Sequence, residues 1–559
     1  MNISIKTRVL GSLRRISNAI TSGGRPQLVT SIIIFLILLG ADYAFSLTNK
    51  NFSFFWNGRQ LVLFIIIFLT LNIESQIKRF IALSVFPLLT LVQHFHFQYF
   101  GSLIQPIEFH LFINNMEETR ESFFAEIGKM KTPLYIFIAS ITAIFLTNKV
   151  YQRYNIRNNS LQASPLALFL LILMLLPAYL TYKDTSNHGK ISNQTIKYIY
   201  PLPGMQSSIN LLRSSSYYLS VILPKKFFSP EVPFAERPSP IPVRAPMKLN
   251  IVFLLGESLS AKHLSVFGYP KDTTPELKEL VKTNNDIIAK TVLSAGTMTV
   301  TSVSAIINHI EYPGSSKRLL DQSQCLFKLA KKQGYKTYFY STQSKIQVST
   351  IQSYLCLNQV DHFKTGKDMG VSKSIKDWTK FEDMKLVESL EKIDLSKGDK
   401  FVVLQMRGSH SPYSSRFPKG WGNFDNAYDN SVNFTSKVIQ RLIAYIEKHK
   451  KNTIFVFTAD HGELTGEYGK WGHGWFYPEV YTVPFIFMSS DPLYANEAKK
   501  VISHYDISSL ILDILGYNVS IKPRETVYIN GSDIDALAGY LRLKVDKEGK
   551  IISKNKVLY

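Results

Sequence analysis

The chain has 559 residues, too many for one ordinary domain, so two or more are expected. Its formal charge of +22 calls for an anionic neighbour, either nucleic acid or a membrane surface. The apolar content of the first part of the chain decides for the membrane and excludes nucleic acid.

Residues 1–27 are basic, and apolar runs then follow at 28–49, 60–75, 80–100, 132–150 and 164–182. Each run approaches the roughly 20 residues that a helix needs to cross a hydrocarbon core of about 30 Å, the second being short. Five such runs predict a transmembrane bundle over 28–183. Asp42 in the first run, and His94 and His96 in the third, are costly in lipid and are expected to face the bundle or an interface. Lys6, Arg8, Arg14, Arg15 and Arg25 precede the first run, Lys78 and Arg79 lie in the second loop, and Lys149, Arg153 and Arg157 in the fourth. All fall on one side of an odd-numbered bundle, and the excess of Lys and Arg marks that side as cytoplasmic. Everything after the fifth run is then exported. The long basic lead lacks a small-residue cleavage site, so the first run reads as a retained anchor.

Residues 184–247 begin polar and aromatic, which suits segments lying on the membrane surface. They end in a stretch with seven prolines between 224 and 246, a stiff extended linker. The remainder, 248–559, alternates apolar strands with helical patterns. "LNIVFLLGES", "YKTYFYSTQS", "KFVVLQMRGSHSP", "NTIFVFTADHGE" and "VPFIFMSSD" read as strands, and the alternation predicts an α/β domain with a mainly parallel sheet. Cys325 and Cys356 lie in this exported part, and an oxidising compartment allows them to pair. The absence of Cys-x-x-Cys excludes zinc sites of the finger type.

One edge of a parallel sheet collects the carboxyl ends of its strands, where ligands bind in open α/β folds. Glu257, His410, Asp460, His461 and His473 all follow apolar strands or sit in the glycine-rich loop after one of them. Their convergence would bring together the N and O donors that zinc prefers. A nucleophile is expected in the hydroxyl-rich "LSAGTMTVTSVSAIIN", where Gly296 turns the chain into a helix. A hydroxyl there feels the positive end of the helix dipole, and a bound dication would make its alkoxide accessible. Residue chemistry alone leaves Thr297, Thr299, Thr301 and Ser302 open.

The stretches "GESLSAKHLSVFGYPKDTTPEL", "AGTMTVTSV", "GSHSPYSSRFP", "YDNSVNFTSKVI" and "DHGELTGEYGKWGHG" resemble the membrane-bound phosphoethanolamine transferases of the alkaline phosphatase/sulfatase-like superfamily. The likeness runs over nearly the whole chain: five spans, a linker and a catalytic domain. It implies a bacterial inner-membrane enzyme with its catalytic domain in the periplasm. The family's Gly-Thr-x-Thr pattern falls on Gly296 to Thr299 and implies Thr299 as nucleophile. The implied metal set is Glu257, Thr299, Asp460 and His461, holding one or two zinc ions. His410 and His473 map to positions that contact the phosphoethanolamine group or a second zinc.

The resemblance also implies the chemistry. Phosphoethanolamine would leave phosphatidylethanolamine, rest on Thr299 as an ester and pass to a lipopolysaccharide acceptor, lipid A or core. Transfer to a periplasmic glucan is an alternative acceptor. The other readings within the superfamily are a glycerophosphate transferase and a hydrolase of the sulfatase or phosphatase type. The departures fall at Ala295, where relatives acting on lipid A often carry cysteine, at Gln405, where many carry histidine, and at Ser436, where aspartate is common.

Overall fold

The computed structural model describes residues 24–49, 60–114, 127–154, 206–223, 237–245, 248–311, 321–352, 354–371, 377–521, 523–532 and 540–556, with isolated positions between 52 and 183. The chain divides into two compact units, residues 1–111 with 126–230, and residues 112–125 with 231–559.

The first unit is helical: α1 (Gly24–Thr48), α2 (Leu61–Thr70), α3 (Gln76–Phe100), α4 (Lys131–Tyr154) and α5 (Ser207–Tyr217). Among the described residues three stretches, Pro26–Thr48, Gln76–Phe100 and Lys131–Arg153, are long and apolar enough to cross a membrane. The second apolar run yields only the 10-residue α2 among the described residues, and most of the fifth run lies outside them. Ser75 caps α3 by accepting from the Lys78 amide, and Gly101, at φ +71, ends it in the left-handed region that glycine enters without steric penalty. Ile34, Leu38, Leu63, Ile67, Leu83 and Ile144 form the apolar interior.

The polar residues within these helices are paired. His94 Nε2 lies 2.8 Å from Asp42 Oδ1, and both side chains are buried. Asp42 Oδ2 accepts from the Ser207 amide at 2.8 Å, and the Phe45 ring stacks on His94 at 4.1 Å. His96 Nε2 lies 3.0 Å from Glu108. Arg79 donates to Asn148 and Gln152 at 2.7 and 2.6 Å. Pairing of this kind is what polar groups need where water is excluded.

The second unit is built on a seven-stranded sheet of order β2-β9-β6-β1-β5-β3-β4. Its strands are β1 (Asn250–Gly256), β2 (Ile287–Leu293), β3 (Lys336–Ser341), β4 (His362–Lys364), β5 (Lys400–Gln405), β6 (Thr453–Ala459) and β9 (Thr482–Met488). Every residue of β1 and of β6 is buried, as expected of central strands covered on both faces. β6, β1, β5, β3 and β4 pair in parallel, whereas β9 is antiparallel to both β6 and β2. The reason lies in the connection. After β6 the chain makes the small hairpin β7 (Leu464–Thr465) and β8 (Trp471–Gly472) and re-enters the sheet at the edge it left, without a crossover to the other end.

Helices α6 (Thr299–Ile307), α7 (Ala427–Glu447) and α8 (His504–Ile514) pack in this unit, with Val438, Ile439, Leu442, Ile443 and Ile446 of α7 buried in the core. A second sheet, β10 (Thr526–Ser532), β11 (Tyr540–Asp546) and β12 (Ile551–Lys556), is antiparallel. Asn530 of β10 donates to the Ala295 carbonyl and accepts from the Thr297 amide, at 2.8 and 3.0 Å, and so holds the loop that leads into α6. Cys325 and Cys356 are joined by a disulfide.

Candidate metal centre and active site

β1 ends at Gly256, and Glu257 follows at the carboxyl edge of the sheet. Gln343, just beyond β3, donates to Glu257 Oε2 at 2.9 Å. That bond orients the carboxylate and leaves Oε1 turned toward Thr299 and His461. Ser258 sits at φ +53, an uncommon conformation for a residue with a side chain. There its amide donates to Asp460 Oδ1 at 3.0 Å and its carbonyl accepts from Tyr428 Oη at 2.7 Å.

β6 delivers Asp460 and His461. The Asp460 amide donates to the Gly256 carbonyl, continuing the β1–β6 ladder past the strand ends. Its Oδ1 takes the amides of Ser258 and His461, whereas Oδ2 is buried with no hydrogen-bond partner among the described residues. His461 Nδ1 faces the Gly462 carbonyl at 2.9 Å, so Nδ1 carries the proton and Nε2 presents a lone pair.

Thr299 opens α6, at the positive end of the helix. Its Oγ1 is 3.2 Å from Glu257 Oε1 and 3.3 Å from His461 Nε2. The other hydroxyls of this stretch are directed elsewhere. Thr301 donates to the Met298 carbonyl, Ser302 to the Asp460 carbonyl, and Thr297 packs against Gly531. Of the four, Thr299 alone has its oxygen in the cluster.

Ligand atoms of Glu257, Asp460 and His461 lie within 4.8 Å of one another, as do those of a second group, His461, Glu463 and His473. Two buried carboxylates and an imidazole lone pair crowd together here with more acceptor oxygen and nitrogen than the Thr299 hydroxyl can satisfy, and a cation among them would relieve the repulsion. The N and O donor set fits zinc. Electrostatics agree. Burial pushes the Asp460 carboxyl up, and burial, with the charge of His473, pulls His461 down to about 3. His461 therefore stays unprotonated at neutral pH, with a lone pair able to bind a cation.

The second group extends the site toward solvent. His473 Nδ1 is 3.3 Å from Glu463 Oε2, and Tyr413 donates to Glu463 Oε1 at 3.1 Å. Burial works against the Glu463 charge, but His473, His410 and His461 together outweigh it and hold the carboxyl below its usual range. The His473 ring lies 4.4 Å from that of His461 and 5.4 Å from that of His410. His410 is held by Arg416, which donates to its carbonyl at 2.7 Å.

Residues 249–517 match the family model described as Sulfatase. The chain carries a sulfatase-family domain. Curated relatives include the phosphoethanolamine transferase EptA of Helicobacter pylori, 23% identical over 399 residues that cover 66% of this chain and 68% of that protein. EptA of Salmonella typhimurium is 24% identical over 54% of this chain and 56% of its own length. EptC of Escherichia coli is 23% identical over 47% and 49%. The chain thus matches about half the length of the latter two. The integral membrane phosphoethanolamine transferase EptA from Neisseria meningitidis shares the fold across 88% of this chain and 96% of its own, with TM-score 0.52 and 18% identity.

Within the sulfatase-family domain the three departures are all buried. Ala295 packs with Ala305 and Ile310, Gln405 accepts from Ser341 Oγ at 3.0 Å, and Ser436 lies on α7. Two residues join the site that sequence reasoning left out of it. Glu463 follows His461 by two positions in "DHGE", and that spacing was its only signal. Gln343 follows β3 as Glu257 follows β1, so its strand-end position was the clue.

Proposed function

We propose that this protein is a zinc-dependent phosphoethanolamine transferase of the bacterial inner membrane, with its catalytic domain in the periplasm. In this reading the donor is phosphatidylethanolamine and the acceptor a lipopolysaccharide, at lipid A or core. The observation that carries it is the meeting of Thr299 Oγ1 with Glu257 and His461 at 3.2 and 3.3 Å, beside the orphaned Asp460 oxygen. The curated relatives bearing the transferase name add support, as do the apolar helices that tether the domain to a bilayer containing the donor.

Glu257, Asp460, His461 and Thr299 would hold one zinc ion, and His473 with Glu463 a second. Bound zinc lowers the pKa of a coordinated hydroxyl and offsets charge on phosphoryl oxygens. Thr299 Oγ gives its proton to solvent, regaining one when its ester later breaks, and attacks the donor phosphorus as the bond to the glycerol oxygen breaks, so that diacylglycerol leaves with a proton. His410, or His473 when no second zinc is held, supplies that proton and later takes one from the acceptor. The acceptor oxygen then attacks phosphorus, the Thr299 ester breaks and the hydroxyl is restored. Gln343 keeps Glu257 in place throughout.

The test is to incubate the full-length protein in micelles with phosphatidylethanolamine and to weigh the peptide containing Thr299. The expected result is an added phosphoethanolamine group, absent in Thr299→Ala. An active enzyme with that peptide unmodified removes Thr299 from the role. A glycerophosphate adduct formed from phosphatidylglycerol would favour the glycerophosphate transferase, and free phosphoethanolamine without transfer the hydrolase.

A further inference from the structure

Two of the sequence stretches noted above, Gly256–Leu277 and Tyr428–Ile439, meet at a buried histidine that the proposed reaction does not use. His263, 5% exposed, lies in the turn after β1. Its Nδ1 is 2.9 Å from Asp429 Oδ1 in the first turn of α7, and its Nε2 is 3.2 Å from Glu467 Oε1 in the β7–β8 hairpin. A neutral imidazole has one N–H. A ring with a carboxylate oxygen at each nitrogen is satisfied at both only as the imidazolium.

The other groups around it hold both carboxylates in their ionised, accepting form. Asp429 Oδ2 accepts from Lys271 Nζ at 2.9 Å, from Tyr269 Oη at 3.1 Å and from Asn426 at 2.7 Å. The rings of Tyr269 and Tyr428 lie 4.8 and 4.9 Å from the imidazole. On the hairpin side, Glu467 Oε2 accepts from the Thr465 amide at 2.5 Å and Oε1 from its hydroxyl at 3.1 Å. Burial disfavours a charged ring, but Asp429 and Glu467 outweigh it and raise the histidine above its ordinary value.

The hairpin has two-residue strands and turns through Gly466, Tyr468 and Gly469, all at positive φ. So small an element has few bonds of its own to hold it still. Glu463 immediately precedes it and His473 immediately follows. The geometry points to His263 as a positioning residue, whose imidazolium clamps the β7–β8 hairpin to α7 and thereby sets Glu463 and His473 in the site. This deepens the proposed function, because it assumes that those two residues serve the reaction. The clamp itself is measurable without substrate.

Hydrogen exchange on the full-length protein in micelles, between pH 6 and 9 and corrected for intrinsic rates, tests it. In the wild type, protection of the peptide 464–476 should fall about tenfold as the pH rises through the His263 titration, while the 427–447 peptide holds. Glu467→Gln should exchange about tenfold faster in that peptide at pH 6. His263→Gln should lose the pH dependence. Thermal unfolding shows whether each variant is folded, and Glu467→Gln, on a partly exposed carboxylate, stands independently of the His263 variant. A wild-type hairpin whose protection is flat across this range, or a Glu467→Gln hairpin equal to wild type, overturns the clamp. Failure of the Thr299 adduct overturns the transferase reading and leaves these exchange results intact.

Discussion

The side-chain amide of Gln343 donates a hydrogen bond that orients Glu257, and partners of this kind commonly tune metal affinity by about 10–100-fold. Gln343→Ala should therefore weaken zinc binding by about that factor, measured by competition with a chromophoric chelator. Thr299→Ala should leave the fold intact and lower transfer at least about a thousandfold, as loss of a nucleophile does. His309 offers a test of stability. Burial holds its pKa down to about 4. Folding therefore favours the neutral ring. Its contribution is complete above about pH 6.5 and is lost progressively as the pH falls from there to about 4, a total of about 3 kcal/mol. His309→Gln should flatten the dependence of Tm on pH over that window, even where it lowers Tm at neutral pH.

At the level of elements, the strands that present the site were readable because both of their faces are covered. β1, β5 and β6 appear as unbroken apolar runs, and the polar residues directly after them mark the carboxyl edge. The hairpin was not readable as structure. Two-residue strands leave no periodicity, so its glycines suggested only a loose loop, and Glu467 had no signal of its own. The direction of β9 was equally hidden, because an apolar strand looks the same whichever way it runs. Thr299 illustrates the same limit within a helix. Four hydroxyls share the first turn of α6 or its approach, and only the tertiary fold turns one of them toward Glu257 and His461. Gly408 is an element-level point of failure. At φ +56, with a Cβ position 2.5 Å from the Glu257 carbonyl, Gly408→Ala should destabilise the domain and displace Glu257 together. The disulfide closes a 31-residue separation, and replacing both Cys325 and Cys356 by alanine should lower stability by about 3–4 kcal/mol in chemical denaturation.

Over the whole molecule the net charge of +22 and the apolar helices suit a chain that works against an anionic bilayer, and both were plain from composition. A ligand that binds only the folded domain adds stability by mass action, about 2.7 kcal/mol at a hundredfold excess over Kd. Zinc should therefore raise the Tm of the sulfatase-family domain, and a chelator should reverse the gain. Asp460→Asn should respond less to both, since Oδ2 is the atom left without a hydrogen-bond partner. The grip of Asn530 on Ala295 and Thr297 has a genetic corollary. A nonsense or frameshift allele ending translation just before codon 530 would spare every candidate ligand yet slacken the segment that aims Thr299, so such an allele should score as a null.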